Sequence, residues 1–158
     1  VLGGITTDVC VHTTMREAND RGYECLLLTD GTGATDAGNH AAAIKMIGMQ
    51  GGVFGATATA SAVVAAFQAL SSKVTSGHQA VPSVLQNRLG VIPSAAPSAF
   101  NWPVGKMALI MIDWQRDFVE EGGFGASLGN NVSLLRSAVE PARNVLLAAR
   151  RHGVPVVH

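Results

Sequence analysis

The chain is poor in charge and in cysteine. Only 14% of its 158 residues are Asp, Glu, Lys or Arg, the 11 basic side chains balance 11 acidic ones, and there are two cysteines. Each shortage excludes something. With no surplus or cluster of Lys and Arg, the chain has little to neutralise a phosphate backbone, so nucleic-acid binding is not expected. Two cysteines cannot staple a secreted scaffold, so free thiols in a reducing, cytoplasmic compartment are expected. No 18-residue apolar run and no signal peptide is present, so neither a membrane span nor secretion is expected. Aromatic residues are scarce at 5%, yet hydrophobic residues reach 47%. That is too apolar for a disordered chain, and the length suits one domain with a self-sufficient core.

Several ligand motifs are missing too. The five histidines, His12, His40, His78, His152 and His158, show no H-x-H, H-x-x-x-H or H-E-x-x-H spacing. No metal site is therefore expected, and each reads as solvated or capping. Gly31-Thr32-Gly33 lacks the third glycine of a dinucleotide fingerprint, and there is no phosphate loop and no G-x-S-x-G elbow.

What is present is an alternation of apolar runs and helical patterns. Val1 to Ile5 reads as the tail of a buried strand, Val9 to Arg21 as a helix stopped by Gly22, and Tyr23 to Leu28 as a strand covered on both faces. Thr29 to Asp36 reads as a loop, Ala37 to Gln50 as a helix, Val53 to Ala56 as a short strand and Ala58 to Leu70 as an Ala-rich helix. Ser71 to Pro103, rich in Pro and Ser, reads as a linker or extended arm. Met107 to Ile112 is a strong strand pattern ending at Asp113, followed by a Gly-rich loop over Asp117 to Asn131. Val132 to His152 reads as a long amphipathic helix that Pro141 is positioned to bend or split, and Val154 to Val157 as a last strand. The expected class is α/β, a three-layer α-β-α arrangement with a mostly parallel, Rossmann-like sheet. Such sheets hold ligands beyond the carboxyl ends of their strands.

Two strand ends carry candidate chemistry. After Ile5 the chain enters the turn Thr6-Thr7-Asp8-Val9-Cys10, with a helix expected to begin near Cys10 and Asp8 as its natural N-cap. A thiol at a helix N-terminus meets the positive end of the dipole and free N–H groups, which favour the nucleophilic thiolate and can hold an oxyanion. Most cysteines of this kind are small buried hydrophobes, and the turn alone leaves that reading of Cys10 open. Cys25, inside its apolar strand, reads as core. Asp113, delivered by an apolar strand to the ligand edge, fits a general base or a partner for charge, and equally a turn-forming residue. Asp117 reads as a loop or cap residue.

Two longer segments then carry a resemblance. Gly4 to Asp36 (GITTDVCVHTTMREANDRGYECLLLTDGTGATD), continuing to Gly55, closely resembles the carboxyl-terminal half of isochorismatase-like cysteine hydrolases, nearest to the branch acting on biuret and ureidoacrylate. Trp102 to His158, with ALIMIDWQRDF and VPVVH, resembles the amino-terminal half of the same family. The resemblance implies a cofactor-free amidohydrolase that cleaves a C–N bond of a small amide or ureido compound, and a homo-oligomer. It implies an Asp–Lys–Cys triad in which Cys10 is the nucleophile and Asp113 the base. It further implies a non-proline cis peptide at Ile5-Thr6, an oxyanion hole of the Thr6 and Cys10 N–H groups, and Gln115 and Phe118 near the substrate pocket.

The resemblance is also unusual in its order. Residues 1–72 correspond to the carboxyl-terminal half, 73–100 to a linker or arm, and 101–158 to the amino-terminal half, so the halves are reversed. The family's middle part, which supplies its Lys, has no counterpart, and none of Lys45, Lys73 and Lys106 matches the Lys motif. The apolar ends at Val1 and His158 suggest pieces joined in a changed order or a window across two fused copies. Two other functions compete: an isochorismatase-type vinyl-ether hydrolase, which the Cys at position 10 argues against, and a non-catalytic copy serving as a binding or assembly subunit, which the unmatched Lys favours.

Overall fold

A computed structural model describes residues 1–72 and 89–158. The apolar runs become strands, because only there can each backbone N–H and C=O be paired while side chains are buried on both faces. Five of them form one sheet: β1 (Leu2–Ile5), β2 (Leu26–Gly33), β3 (Ala56–Ala58), β6 (Leu109–Ile112) and β7 (Val156–Val157), in the order β3-β2-β1-β6-β7. Every neighbouring pair is parallel. β1, buried along its whole length, lies at the centre.

Helices cover both faces. α1 (His12–Asp20) and α2 (Ala37–Ile47) pack on one side, where Val11, Met15 and Ile47 meet Leu2 and Leu27 of the strands. α3 (Ala60–Ser72) and α7 (Val139–Arg151) pack on the other, where Val63, Phe67 and Val145 meet Leu26, Leu28, Leu109 and Met111. The alternation of Leu26, Leu27 and Leu28 between the two cores is the period of two along a strand. This is the expected three-layer α/β architecture. Among the described residues no helix is long and apolar enough to cross a membrane.

Several local expectations are corrected. β2 runs on to Gly33 through residues read as a loop, since Gly31, Thr32 and Gly33 are buried beside β1, and Thr32 Oγ1 donates to the Leu28 carbonyl at 3.0 Å. The segment 73–100 is not all linker. Residues 73–88 lie outside the described residues, but β4 (Leu89–Ile92) and β5 (Phe100–Pro103) form an antiparallel ribbon. The ribbon sends Ile92 and Trp102 into the core, Trp102 meeting Phe67 edge-on at 6.1 Å. Burial of those two side chains, with Gly90 leaving room for the indole, orders a segment that lacks a sustained pattern.

Between β6 and α7 stand three short helices rather than a bare loop: α4 (Arg116–Val119), α5 (Phe124–Ser127) and α6 (Val132–Arg136). The long helix is split at Ser137 and Ala138. Pro141 then falls in the first turn of α7, where its missing N–H has no partner to lose.

Candidate active site

Topology decides where chemistry can sit. From β1 the chain proceeds through α1, β2, α2 and β3 toward one edge of the sheet, while from β6 it proceeds through α7 to β7 at the other. The reversal falls between β1 and β6, and the crevice beyond the carboxyl ends of those two strands is the ligand position of such sheets. Cys10 follows β1 and Asp113 directly follows β6, so the two chemically active side chains fall at that edge.

The turn after β1 is not the one expected. Thr7–Val11 forms a single wide π-type turn, with α1 proper starting only at His12. The Thr6 carbonyl accepts both the Val9 and the Val11 N–H, each at 3.2 Å. Asp8 does not cap this turn: Thr6 occupies the N-cap position without a side-chain bond, and Asp8 Oδ1 is buried without a partner. The extra residue of the wide turn pushes Val9 and Cys10 outward, and both are exposed. Cys10 is therefore no core cysteine, whereas Cys25 is buried.

Asp113 is held in an unusual backbone conformation, φ 53°, one of two non-glycine residues with positive φ among those described. Left-handed backbone is tolerated by Asp better than by most residues, and it concentrates at functional positions. Here it turns the chain sharply out of β6, with the Gln115 N–H donating to the Asp113 carbonyl at 2.7 Å. The Asp113 carboxylate then stands close enough to the Cys10 thiol to be the largest influence on its proton affinity. The backbone groups of Thr6 and Cys10 favour the thiolate at the same sulfur, and the Ile5–Thr6 peptide bond is cis.

The electrostatics differ from the sequence expectation. A helix-start thiol was expected to favour thiolate, but Cys10 is held above the usual thiol range. The hydrogen bond to Asp113 is the largest cause, followed by desolvation and the negative charge of Asp113; the Thr6 and Cys10 amides act in the opposite direction. A neighbouring carboxylate simply outweighs two backbone dipoles. The thiol is thus held in its protonated form beside a carboxylate, as a nucleophile beside its base would be before reaction.

Gln115 is exposed at the N-cap of α4, and Phe118 lies half-buried within α4, so both stand close in sequence to Asp113 at the mouth of the crevice. Lys45 is exposed in the last turn of α2, Lys106 is exposed ahead of β6 at the strand end opposite Asp113, and Lys73 lies outside the described residues. A separate groove of about 380 Å³ between α3 and α7, lined by Asp30, Ser61, Gln68, Asn144 and Arg151 among others, includes neither Cys10 nor Asp113. Among the described residues no cluster of His, Cys, Asp and Glu could hold a metal.

Two histidines near the nucleophile turn escaped the sequence reading. His12 is not solvated but buried, 7% exposed. Arg16 Nε donates to its Nδ1 at 3.0 Å. Its only ring proton must then sit on Nε2, and burial together with the Arg16 charge holds its pKa below the usual range. Arg16 in turn lies over the Phe54 ring at 4.1 Å. His40, in the first turn of α2, has Nδ1 2.8 Å from the hydroxyl of Thr7. Only spatial contact, not spacing, reveals either one.

The fold and the site together define an α/β protein with a thiol and a carboxylate paired at the topological switch point of a parallel sheet. Residues 1–76 match the isochorismatase domain family. The match covers just under half of the chain, and over those residues the chain is similar to that family. The matched residues carry β1 through α3 and the whole nucleophile turn; Asp113 lies beyond them.

Proposed function

We propose that this chain is a cysteine-dependent amidohydrolase acting on a small amide or ureido compound of the biuret or ureidoacrylate type. The observation that carries the reading is the Cys10–Asp113 pair at the switch point of the sheet, delivered by the neighbouring strands β1 and β6.

As the sulfur attacks the substrate carbonyl carbon, its proton passes to Asp113. Attack opens the carbonyl to a tetrahedral oxyanion, which the Thr6 and Cys10 N–H groups stabilise. Because the proton moves within a hydrogen-bonded pair, the thiolate never has to exist free in water, which suits a thiol held above its usual range. When the intermediate collapses, the C–N bond breaks and protonated Asp113 gives its proton to the departing nitrogen, releasing ammonia or an amine. The regenerated carboxylate then takes a proton from water, whose oxygen attacks the thioester-like carbonyl. The C–S bond breaks, the acid product leaves and Cys10 regains its proton. Gln115 and Phe118 flank the substrate in this reading, and no cofactor takes part.

The same reading makes residues 1–72 and 101–158 two parts of one hydrolase domain in reversed order, supported by β6 of the second part pairing with β1 of the first. A non-catalytic copy is the competing reading, favoured by the exposed positions of Lys45 and Lys106 away from the pair. Iodoacetamide labelling of the folded protein separates the two. Exposure alone favours Cys10 over the buried Cys25, so the separating result is ammonia release from biuret lost in step with Cys10 alkylation, where a non-catalytic copy has no release to lose. Cys10 reacting no faster than Cys25 would overturn the assignment.

A further inference from the structure

Thr7 stands three residues before the nucleophile and is fully buried. A buried hydroxyl needs a partner, and the one it has lies 33 residues away: His40 Nδ1 at 2.8 Å. His40 itself stands on a firm base. Asp36 caps α2, its Oδ1 accepting the Asn39 N–H at 2.8 Å and its carbonyl the His40 N–H at 3.1 Å. On another side the ring borders a cavity of about 90 Å³, lined also by Thr32, Gly33, Leu134 and Ser137. Packing does not close around the imidazole there, so the bond to Thr7 has much of the work of fixing both groups.

The consequence reaches the sulfur through one peptide. Thr7 is bonded to Thr6, whose carbonyl receives the Val9 and Val11 N–H groups that shape the turn and whose backbone group favours thiolate at Cys10. A displacement of Thr7 therefore rotates the Thr6 amide and the turn that presents Cys10. We propose that His40 is a positioning residue: by tying Thr7 to α2 it fixes the turn that presents the Cys10 sulfur. This rests on the reading of Cys10 as nucleophile. The tie survives protonation of the ring, because neutral imidazole can accept from the Thr7 hydroxyl and imidazolium can donate to it.

Alkylation of Cys10 by iodoacetamide, followed across pH in the intact protein below its melting temperature, tests the proposal without a substrate. Thr7→Val and His40→Leu remove one partner each; Thr7→Ser and His40→Asn keep a hydroxyl and a polar atom in place. The first two should lower the rate constant at pH 7 about tenfold and move the whole pH–rate profile to higher pH, as less thiolate forms. The second two should restore the wild-type profile to within about twofold. Profiles of Thr7→Val and His40→Leu that overlie the wild type would overturn the proposal, as would conservative variants that fail as badly as the severe ones. Wild-type Cys10 reacting no faster than Cys25 would instead overturn the nucleophile reading on which it stands.

Discussion

Gly4 controls the distance between the two strands that carry the site, and Gly4→Ala is the sharpest test of that geometry. Gly4 lies in β1 opposite Ile112 of β6, one residue before Asp113, with φ 150°. A Cβ added there would lie 2.7 Å from Ile112 Cβ and 2.8 Å from Ile112 N, and closer still to the Ile112 carbonyl oxygen. These are backbone and Cβ atoms, which cannot swing aside as a side-chain tip can. Restoring ordinary contact therefore needs the strand ends to separate by about 0.7 Å or more. Overpacking of this kind costs roughly 1–3 kcal/mol of stability. Its effect on chemistry should be larger, because Cys10 and Asp113 ride on the two strands being forced apart, and a misplacement approaching 1 Å costs about a hundredfold. The expected result is a kcat for ammonia release from biuret lowered about a hundredfold at a temperature where the variant is folded, with a much smaller change in KM. Thermal denaturation reports the stability cost separately. A folded variant that keeps wild-type kcat would refute the claim that the β1–β6 spacing sets the Cys10–Asp113 geometry.

Two further outcomes follow from the electrostatics. In Asp113→Asn the largest influence raising the Cys10 thiol is removed, so alkylation at neutral pH should become faster while hydrolysis falls by about 10²–10⁴ for loss of the general base; alkylation and hydrolysis falling together would show that Asp113 merely supports the turn. His12, with its pKa held below the 6.5 of a free imidazole, makes folding weaken on acidification. The unfolded chain takes up a proton first as pH drops through that value, and the loss continues until the folded pKa is reached. Urea midpoints at about pH 7.5 and 5.5 should therefore fall less steeply in His12→Gln than in the wild type, and equal slopes would count against a buried neutral His12.

Much of the architecture was legible in the chain. The apolar runs at Leu26 to Leu28 and Leu109 to Ile112 had to be strands buried on both faces, and their alternation with helices required a parallel sheet. Boundaries were less legible where tertiary contacts replaced local preference. Thr32 and the glycines around it read as loop formers, yet pairing with β1 draws them into β2. The ribbon of β4 and β5 owes its order to Ile92 and Trp102 entering a core built by α3 and β6, which no local pattern announces.

The site divides in the same way. The sequence by itself determined the reactive groups, because a thiol after one apolar strand and a carboxylate after another must fall at the ligand edge of a parallel sheet. Only the tertiary structure decided that those two strands are neighbours, that the turn is wide enough to expose Cys10, and that the carboxylate holds the thiol above its usual range. It also decided that Thr7 and His40 touch. Strand order, the balance of a carboxylate against backbone dipoles, and a hydrogen bond across 33 residues are all relations between distant parts of the chain, and local periodicity carries no record of them.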